Sequence, residues 1–237
     1  RVEARIGDRV DGLAVQHHRA VEAAREVPLD VLLNRQRVVP RVVRAARDAG
    51  VNVVGSSAVF LQYPWQVLPP EMLSPIEDAA QQGGSSLFIN GIDPGFANDL
   101  LPLALAGNCQ SIQQIRCMEM VDYATYDSAA VMFDVMGFGK PLDEVPMLLQ
   151  PRVLSLAWGS VVRQLAAGLG IELDEVVEIY EREPAPEDFE IAAGHIAKCT
   201  AAALHFEVRG MLDGKPVVVL EHVTRLRDDL CPEWPQP

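Results

Sequence analysis

The sequence predicts an α/β protein: part of a doubly wound parallel sheet, followed by an α+β half built on an open mixed sheet. Three observations lead there. Leu29–Leu33, Val51–Val54 and Ser86–Ile89 are short, continuous apolar runs, the pattern of strands buried on both faces. Helical spacing separates them, giving strand, helix, strand, helix, strand, the order of a parallel sheet with crossover helices. Beyond Gln110 the texture changes to longer, partly alternating segments that close on a hairpin dipeptide, Asp213-Gly214. Residues 1–106 are thus expected to form the later part of the doubly wound domain, and residues 107–237 an α+β domain.

Element by element, residues 1–27 are charged and weakly patterned, apart from a helical stretch near Arg19–Glu26. In Val38–Ala49, residues Val38, Val39, Val42, Val43 and Ala46 keep one helical face, and Gly50 follows as a C-terminal stop. Pro70 suits the first turn of a helix over Pro70–Gln82, with Met72, Ile76, Ala79 and Ala80 inward and Gly83-Gly84 ending it. In the second half, Ser111–Asp122 reads as a long strand, and Thr125–Val135 and Val153–Leu169 as helices. A strand is expected around Val176–Tyr180, then the two arms Ala192–Leu212 and Lys215–Arg227 of a hairpin. One face of such an open sheet needs a cover, and a symmetric partner would supply it.

Asn90–Leu105 is the most informative stretch. A strand runs into Gly91, Pro94 and Gly95, and then into a helical pattern opened by Phe96 and carried by Leu100, Leu101, Leu103 and Leu105. Such a corner puts a strand's carboxyl end and the free N–H groups of a helix in one space, where α/β proteins bind ligands. An ordinary strand-to-helix connection would read the same way. Asp99, in the first turn, suits the helix dipole.

The chain carries 33 acidic against 20 basic residues, a net charge of −13, which excludes a nucleic-acid binder. No apolar run is long enough for a membrane span and no signal peptide is visible, so a cytoplasmic protein acting on a small molecule is expected. The four cysteines, Cys109, Cys117, Cys199 and Cys231, have no metal-ligand spacing and read as buried free thiols; no metal site is expected. No Gly-x-Gly-x-x-Gly turn follows a strand, and Gly137-Phe138-Gly139 lacks both the strand before it and the third glycine. A first β-α-β unit ahead of Arg1 would account for that.

The runs Ala49-Gly-Val-Asn-Val-Val54, Tyr63-Pro-Trp65 and Asn90-Gly-Ile-Asp-Pro-Gly-Phe96 resemble the dihydrodipicolinate-reductase-like family, in particular 2,4-diaminopentanoate dehydrogenases and native amine dehydrogenases. Val121–Asp127, Gly194-His195 and Thr224-Arg225-Leu226 extend the similarity over roughly residues 29–235. The resemblance implies an NADP- or NAD-dependent oxidoreductase moving hydride to or from a C=N or C=O carbon. It implies a Rossmann domain, an α+β domain that makes a homodimer, and a nicotinamide site bordered by Asn90, Gly91, Pro94, Gly95 and Phe96. His195, Tyr123 and Tyr126 become catalytic candidates, and Val59, Phe60, Thr224 and Arg225 candidates for lining the substrate pocket.

At one place the sequence departs from the family. Amine-forming members carry adjacent acidic residues shortly before the Tyr-Pro-Trp run; here Val59 and Phe60 stand there, and neither can hold a proton or a cation. That wall is expected to be dry, favouring a bulky neutral carbonyl or preformed imine over ammonia. A non-catalytic dimeric homologue is the alternative. His195 reads equally as a hairpin histidine, Tyr123 and Tyr126 as packing residues on one helical face, and Arg225 as an ion-pair partner. Glu119 and Asp122 show no partner in the sequence.

Overall fold

A computed structural model describes residues 50–56 and 58–236. The strand expected at Leu29–Leu33, the helix at Val38–Ala49 and His17-His18 lie outside the described residues. The structure is mixed α/β, with a parallel strand pair and a four-stranded sheet as its frame.

The first part is a parallel pair, β1 (Val53–Gly55) and β2 (Leu87–Ile89), joined by helix α1 (Pro70–Gly83). Parallel neighbours need such a crossover. Pro70 takes the first helical turn, and Gly84 closes the helix in the left-handed conformation, donating its N–H to the Ala80 and Gln81 carbonyls. Leu61, Leu68, Ile76 and Ile89 form a small core there.

The helix expected from Phe96 onward begins only at Leu100, as α2 (Leu100–Ala106). The reason is local. Asp99 is fully buried as the N-cap, taking the Leu100 N–H, the Asn90 side-chain amide at 2.7 Å and the Gln62 amide. Phe96–Asn98 are spent on the turn before it, and Leu100, Leu101 and Leu105 are exposed among the described residues.

The second part is a sheet of β3 (Ile115–Asp122), β8 (Lys215–Arg225), β7 (Ala201–Leu212) and β4 (Glu175–Pro184), in that spatial order. Only β3 and β8 run parallel; the sheet is mixed, as expected. Asp213 and Gly214 both adopt positive φ, 51° and 71°, the geometry that a two-residue hairpin requires. Helix α3 (Val153–Gly168) covers one face of the sheet. Its Leu154, Val161, Val162, Leu165 and Ala166 meet Leu204, Phe206 and Val208 of β7 and Val218 and Leu220 of β8 in the main core. Leu156 of α3 also packs on the small core, joining the two parts.

Several boundaries differ from the expectation. The arm from Ala192 is interrupted: Phe189–Ile191 (β5) and Gly194–Ile196 (β6) make their own short hairpin. Thr125–Val135 holds only a π-helical turn at Ala130–Val135, so Tyr123 and Tyr126 lie on a β-turn instead of a helix. The cysteines are free, but Cys109 and Cys199 are exposed and only Cys117 and Cys231 partly buried. Among the described residues no helix is long and apolar enough to cross a membrane.

The other sheet face carries a charged lattice. Arg116 pairs with Glu207 at 3.1 Å and with Glu221, and His205 sits 2.9 Å from both Glu181 and Glu221. Trp234 from the C-terminal segment packs on Ala203 and Val223 at its edge.

Candidate functional site

The turn between β2 and α2 is wound tightly on itself. Phe96 and Ala97 donate backbone N–H bonds to the Gly91 and Ile92 carbonyls, and Asn98 takes the Gly95 N–H on its side-chain oxygen at 2.8 Å. The Asp93–Pro94 bond is cis. Gly95 stands at φ +153°, and a Cβ there would come within 2.3 Å of the Gly91 backbone, so no side chain is tolerated at this place. The winding turns Ile92 and Phe96 outward, 69% and 48% exposed, at the carboxyl end of the parallel pair.

It also drives Asp93 the other way, into the second part. Asp93 Oδ1 accepts the Trp158 indole N–H at 2.7 Å and lies 3.2 Å from His222 Nε2. The other ring nitrogen of His222, Nδ1, lies 2.8 Å from Glu119 Oε2. Glu119 and His222 are register partners on the parallel strands β3 and β8, which is why they meet. Phe206, the cross-strand neighbour on β7, stacks flat on the imidazole at 4.6 Å between centroids, and Trp158 meets it edge-on at 4.9 Å. His222 is 5% exposed.

The electrostatics follow from this placement. Burial disfavours a charged His222, but its bonds to Asp93 and then Glu119 win, and its pKa is pushed up to about 9. Burial would raise Asp93; the His222 bond and charge, with Trp158 and Asn98, hold it below the usual carboxylate value. Tyr123, at the end of β3, is pushed up to about 12 by burial and then by the charges of Glu119 and Asp93. It therefore keeps its proton around neutral pH. The cluster is thus an imidazolium held between two carboxylates beside a protonated phenol. Both imidazole nitrogens are engaged with the carboxylates, an arrangement that suits a proton better than a metal ion.

The other expected site residues are placed as follows. Tyr126 stacks on Tyr123 at 5.6 Å, so the two share a face through their turn. Thr224 is buried two residues from His222 and so on its side of the strand. Arg225, three residues away, faces the opposite side. It donates to the Leu230, Cys231 and Pro235 carbonyls, at 2.9, 3.2 and 2.9 Å, and so holds the C-terminal segment, where pocket lining or an ion pair was expected. His195 is exposed on β6 and paired with Glu190 at 2.7 Å; its hairpin is tied to the tyrosine turn by the Ala192 N–H to the Ala124 carbonyl. Val59 and Phe60 form a 3-10 turn at the seam, where the Val59 carbonyl accepts the Ser160 hydroxyl at 3.3 Å and Phe60 packs on the small core.

Sequence reasoning missed Asp93, Trp158 and His222, and left Glu119 without a partner. The alternation along β8 places His222 in step with Leu220, a polar residue on a core-facing row, and that was the available signal. The identity of its partners depends on the β3–β8 register, which no local pattern encodes.

A folded-state pKa of about 9, against an ordinary 6.5, makes the His222 contribution to stability fully present below about pH 6.5. It is lost as pH rises through 9. His205 titrates in the same window, facing Glu181 and Glu221, the second of which also pairs with Arg116. Thermal unfolding of the wild type should therefore lose more stability between pH 6.5 and 9 than that of His222→Gln, by up to about 3 kcal/mol. Identical slopes for the two proteins would contradict the bridge.

No protein-family model matches the chain. An amine dehydrogenase from Streptomyces virginiae is 40% identical over 197 residues, which are 83% of this chain and 54% of that protein. The 2,4-diaminopentanoate dehydrogenase of Acetoanaerobium sticklandii is 23% identical over 188 residues, 76% of this chain and 50% of its own length. This chain spans about half the length of these curated relatives. A solved amine dehydrogenase structure from Mycobacterium smegmatis shares the fold with a TM-score of 0.61 at 19% identity, covering 81% of this chain and 56% of that one. The similarity to the Streptomyces protein runs through most of the chain, and over that shared stretch the chain is a homologue of amine dehydrogenases.

Proposed function

We propose that this chain is the cofactor-and-substrate end of an NAD(P)-dependent oxidoreductase that moves hydride to or from a C=N or C=O carbon of a small molecule. On this reading residues 1–106 belong to a Rossmann domain and residues 107–237 form the substrate and dimer domain. The carrying observation is the Asn90–Phe96 turn: it leaves a parallel strand pair, shows Ile92 and Phe96 outward, and is anchored through Asp93 to the cluster on the second sheet.

The residues present fit a nicotinamide. Exposed apolar side chains at the carboxyl end of parallel strands suit a flat ring, and the close-wound Gly91–Gly95 backbone fixes where they stand. Asn90, Gly91, Pro94, Gly95 and Phe96 would hold that end of the cofactor, which supplies or accepts the hydride when bound. Tyr123 donates its proton to the carbonyl oxygen or imine nitrogen of the substrate, with Tyr126 fixing its ring. Val59 and Phe60 exclude water from the seam. Thr224 lies on the same side of the sheet as the proton network.

The protein should quench or blue-shift NAD(P)H fluorescence on binding. Tyr123→Phe should keep that signal and lower kcat by on the order of 10²–10⁴, the range for a lost proton donor. An unchanged kcat in Tyr123→Phe would remove the assigned role, and absence of any NAD(P)H signal would remove the cofactor reading.

We assign the homodimer to the outward sheet face. Glu207 and Glu221 are only 6% and 3% exposed there, an outlay of buried charge suited to a face that is further covered. Sedimentation at micromolar concentration should give a dimer, with more than roughly 1,000 Å² buried; a monomer would overturn this assignment.

A further inference from the structure

We propose that Asp99 is a positioning residue for the cofactor: it holds the Asn90 side-chain amide so that Asn90 Oδ1 is presented as the acceptor for a carboxamide N–H of the nicotinamide. The inference rests on the reading of the Asn90–Phe96 turn as the nicotinamide end and names what selects the ring there.

The chemistry of the donors and acceptors is the first support. Asp99 is fully buried, and its two oxygens take three N–H groups. The Leu100 backbone bonds Oδ1; the Asn90 amide, at 2.7 Å, and the Gln62 amide share Oδ2. A carboxylate so surrounded only accepts, so Asn90 must turn its nitrogen toward it. The flipped amide would set two oxygens against each other. Asn90 Oδ1 is thereby directed away from Asp99, and among the described residues it meets no donor. The backbone is fixed as well: Asn90 follows β2 and gives its own N–H to the Gly55 carbonyl of β1 at 3.0 Å. An acceptor with a free lone pair, held at the carboxyl end of parallel strands, suits a ligand that brings an N–H. The carboxamide of a nicotinamide brings two.

The second support is what helix capping leaves unexplained. Starting the seven-residue α2 needs only the bond from Leu100 to Asp99. Gln62 adds a brace from the first part and carries it to the second, giving the same amide nitrogen to Gln164 Oε1 on α3 at 3.3 Å. Its own Oε1 is left buried without a donor. An orphaned buried oxygen costs free energy that a cap does not require. It follows from the demand that Gln62 turn its nitrogen to Asp99, just as Asn90 does. The brace therefore fixes Asp99 Oδ2, and through it Asn90, relative to both parts of the protein.

The test compares NAD(P)H with its acetylpyridine analogue, which keeps the ring and its carbonyl but has a methyl group in place of the amide nitrogen, by calorimetric titration of the full-length protein. The wild type should bind NAD(P)H at least about tenfold more tightly, the factor for one hydrogen bond whose partner is otherwise left unpaired. Asn90→Ala should bring that ratio close to one. Asp99→Asn keeps a good helix cap but donates as well as accepts, which frees the Asn90 amide to turn; the ratio should fall by at least about threefold. Gln62→Met leaves the cap untouched and should lower the ratio in the same direction, which reads the brace even if Asp99→Asn does not fold. Equal binding of the two cofactors by the wild type would overturn the Asn90 acceptor without any variant. An unchanged ratio in a folded Asp99→Asn or Gln62→Met protein, whatever the loss in affinity for both cofactors alike, would overturn the positioning role. Binding of neither cofactor would instead overturn the nicotinamide reading itself, and the proposal with it.

Discussion

A buried imidazolium shared by two carboxylates joins the parts of this protein. His222 comes from a central strand, Glu119 from its parallel neighbour and Asp93 from the turn that ends the first sheet. Each ion would be costly alone in a site where His222 is 5% exposed. Together they are compatible with burial because each charge meets an opposite one and a hydrogen bond. Removing any member leaves a buried charge unmatched, which is why such a bridge fixes geometry more firmly than its net stabilisation suggests. Phe206 and Trp158 complete the constraint by holding the imidazole plane on one side and its edge on another. The position of the Asn90–Phe96 turn over the second sheet follows from this bridge, together with Leu156 in the seam.

The reading of the sequence and the structure agree where the cause is local. Pro70 and Gly84 bound α1, and Asp213-Gly214 makes the hairpin, because each residue has a conformational preference that acts within a turn. Agreement fails where a distant partner decides. Phe96 carries a helical pattern, yet Asp99 starts the helix, because the buried cap is satisfied by Gln62 and Asn90. Tyr123 and Tyr126 share a face as expected but on a turn, with no helix beneath them. Arg225 is conspicuous in the sequence and serves the chain's own C-terminal carbonyls. His222 and Glu119 are inconspicuous, separated by more than 100 positions, and become a pair only through strand register.

The comparisons and the site bear on different levels of the same question. Similarity to amine dehydrogenases extends over most of this chain but about half of the relatives, so it speaks for shared ancestry and fold while activity rests on the proposed chemistry. On the proposed reading the apolar Val59 and Phe60, in the 3-10 turn at the seam, offer no acidic group to the site. The Asp93–His222–Glu119 network places charge where the turn meets the second sheet, and burial and aromatic packing hold it there. Preorganised charge of this kind needs no rearrangement at the moment of binding, which is where a site gains over water.

The central claim is that Asp93 and His222 are energetically one unit across the boundary between the two parts. A double-mutant cycle on thermal or denaturant unfolding, using Asp93→Asn, His222→Gln and the double variant at pH 7, measures that directly. The account predicts strong non-additivity, with a coupling on the order of 2 kcal/mol, as expected for a buried charged pair. Additive losses, with a coupling indistinguishable from zero, would contradict it.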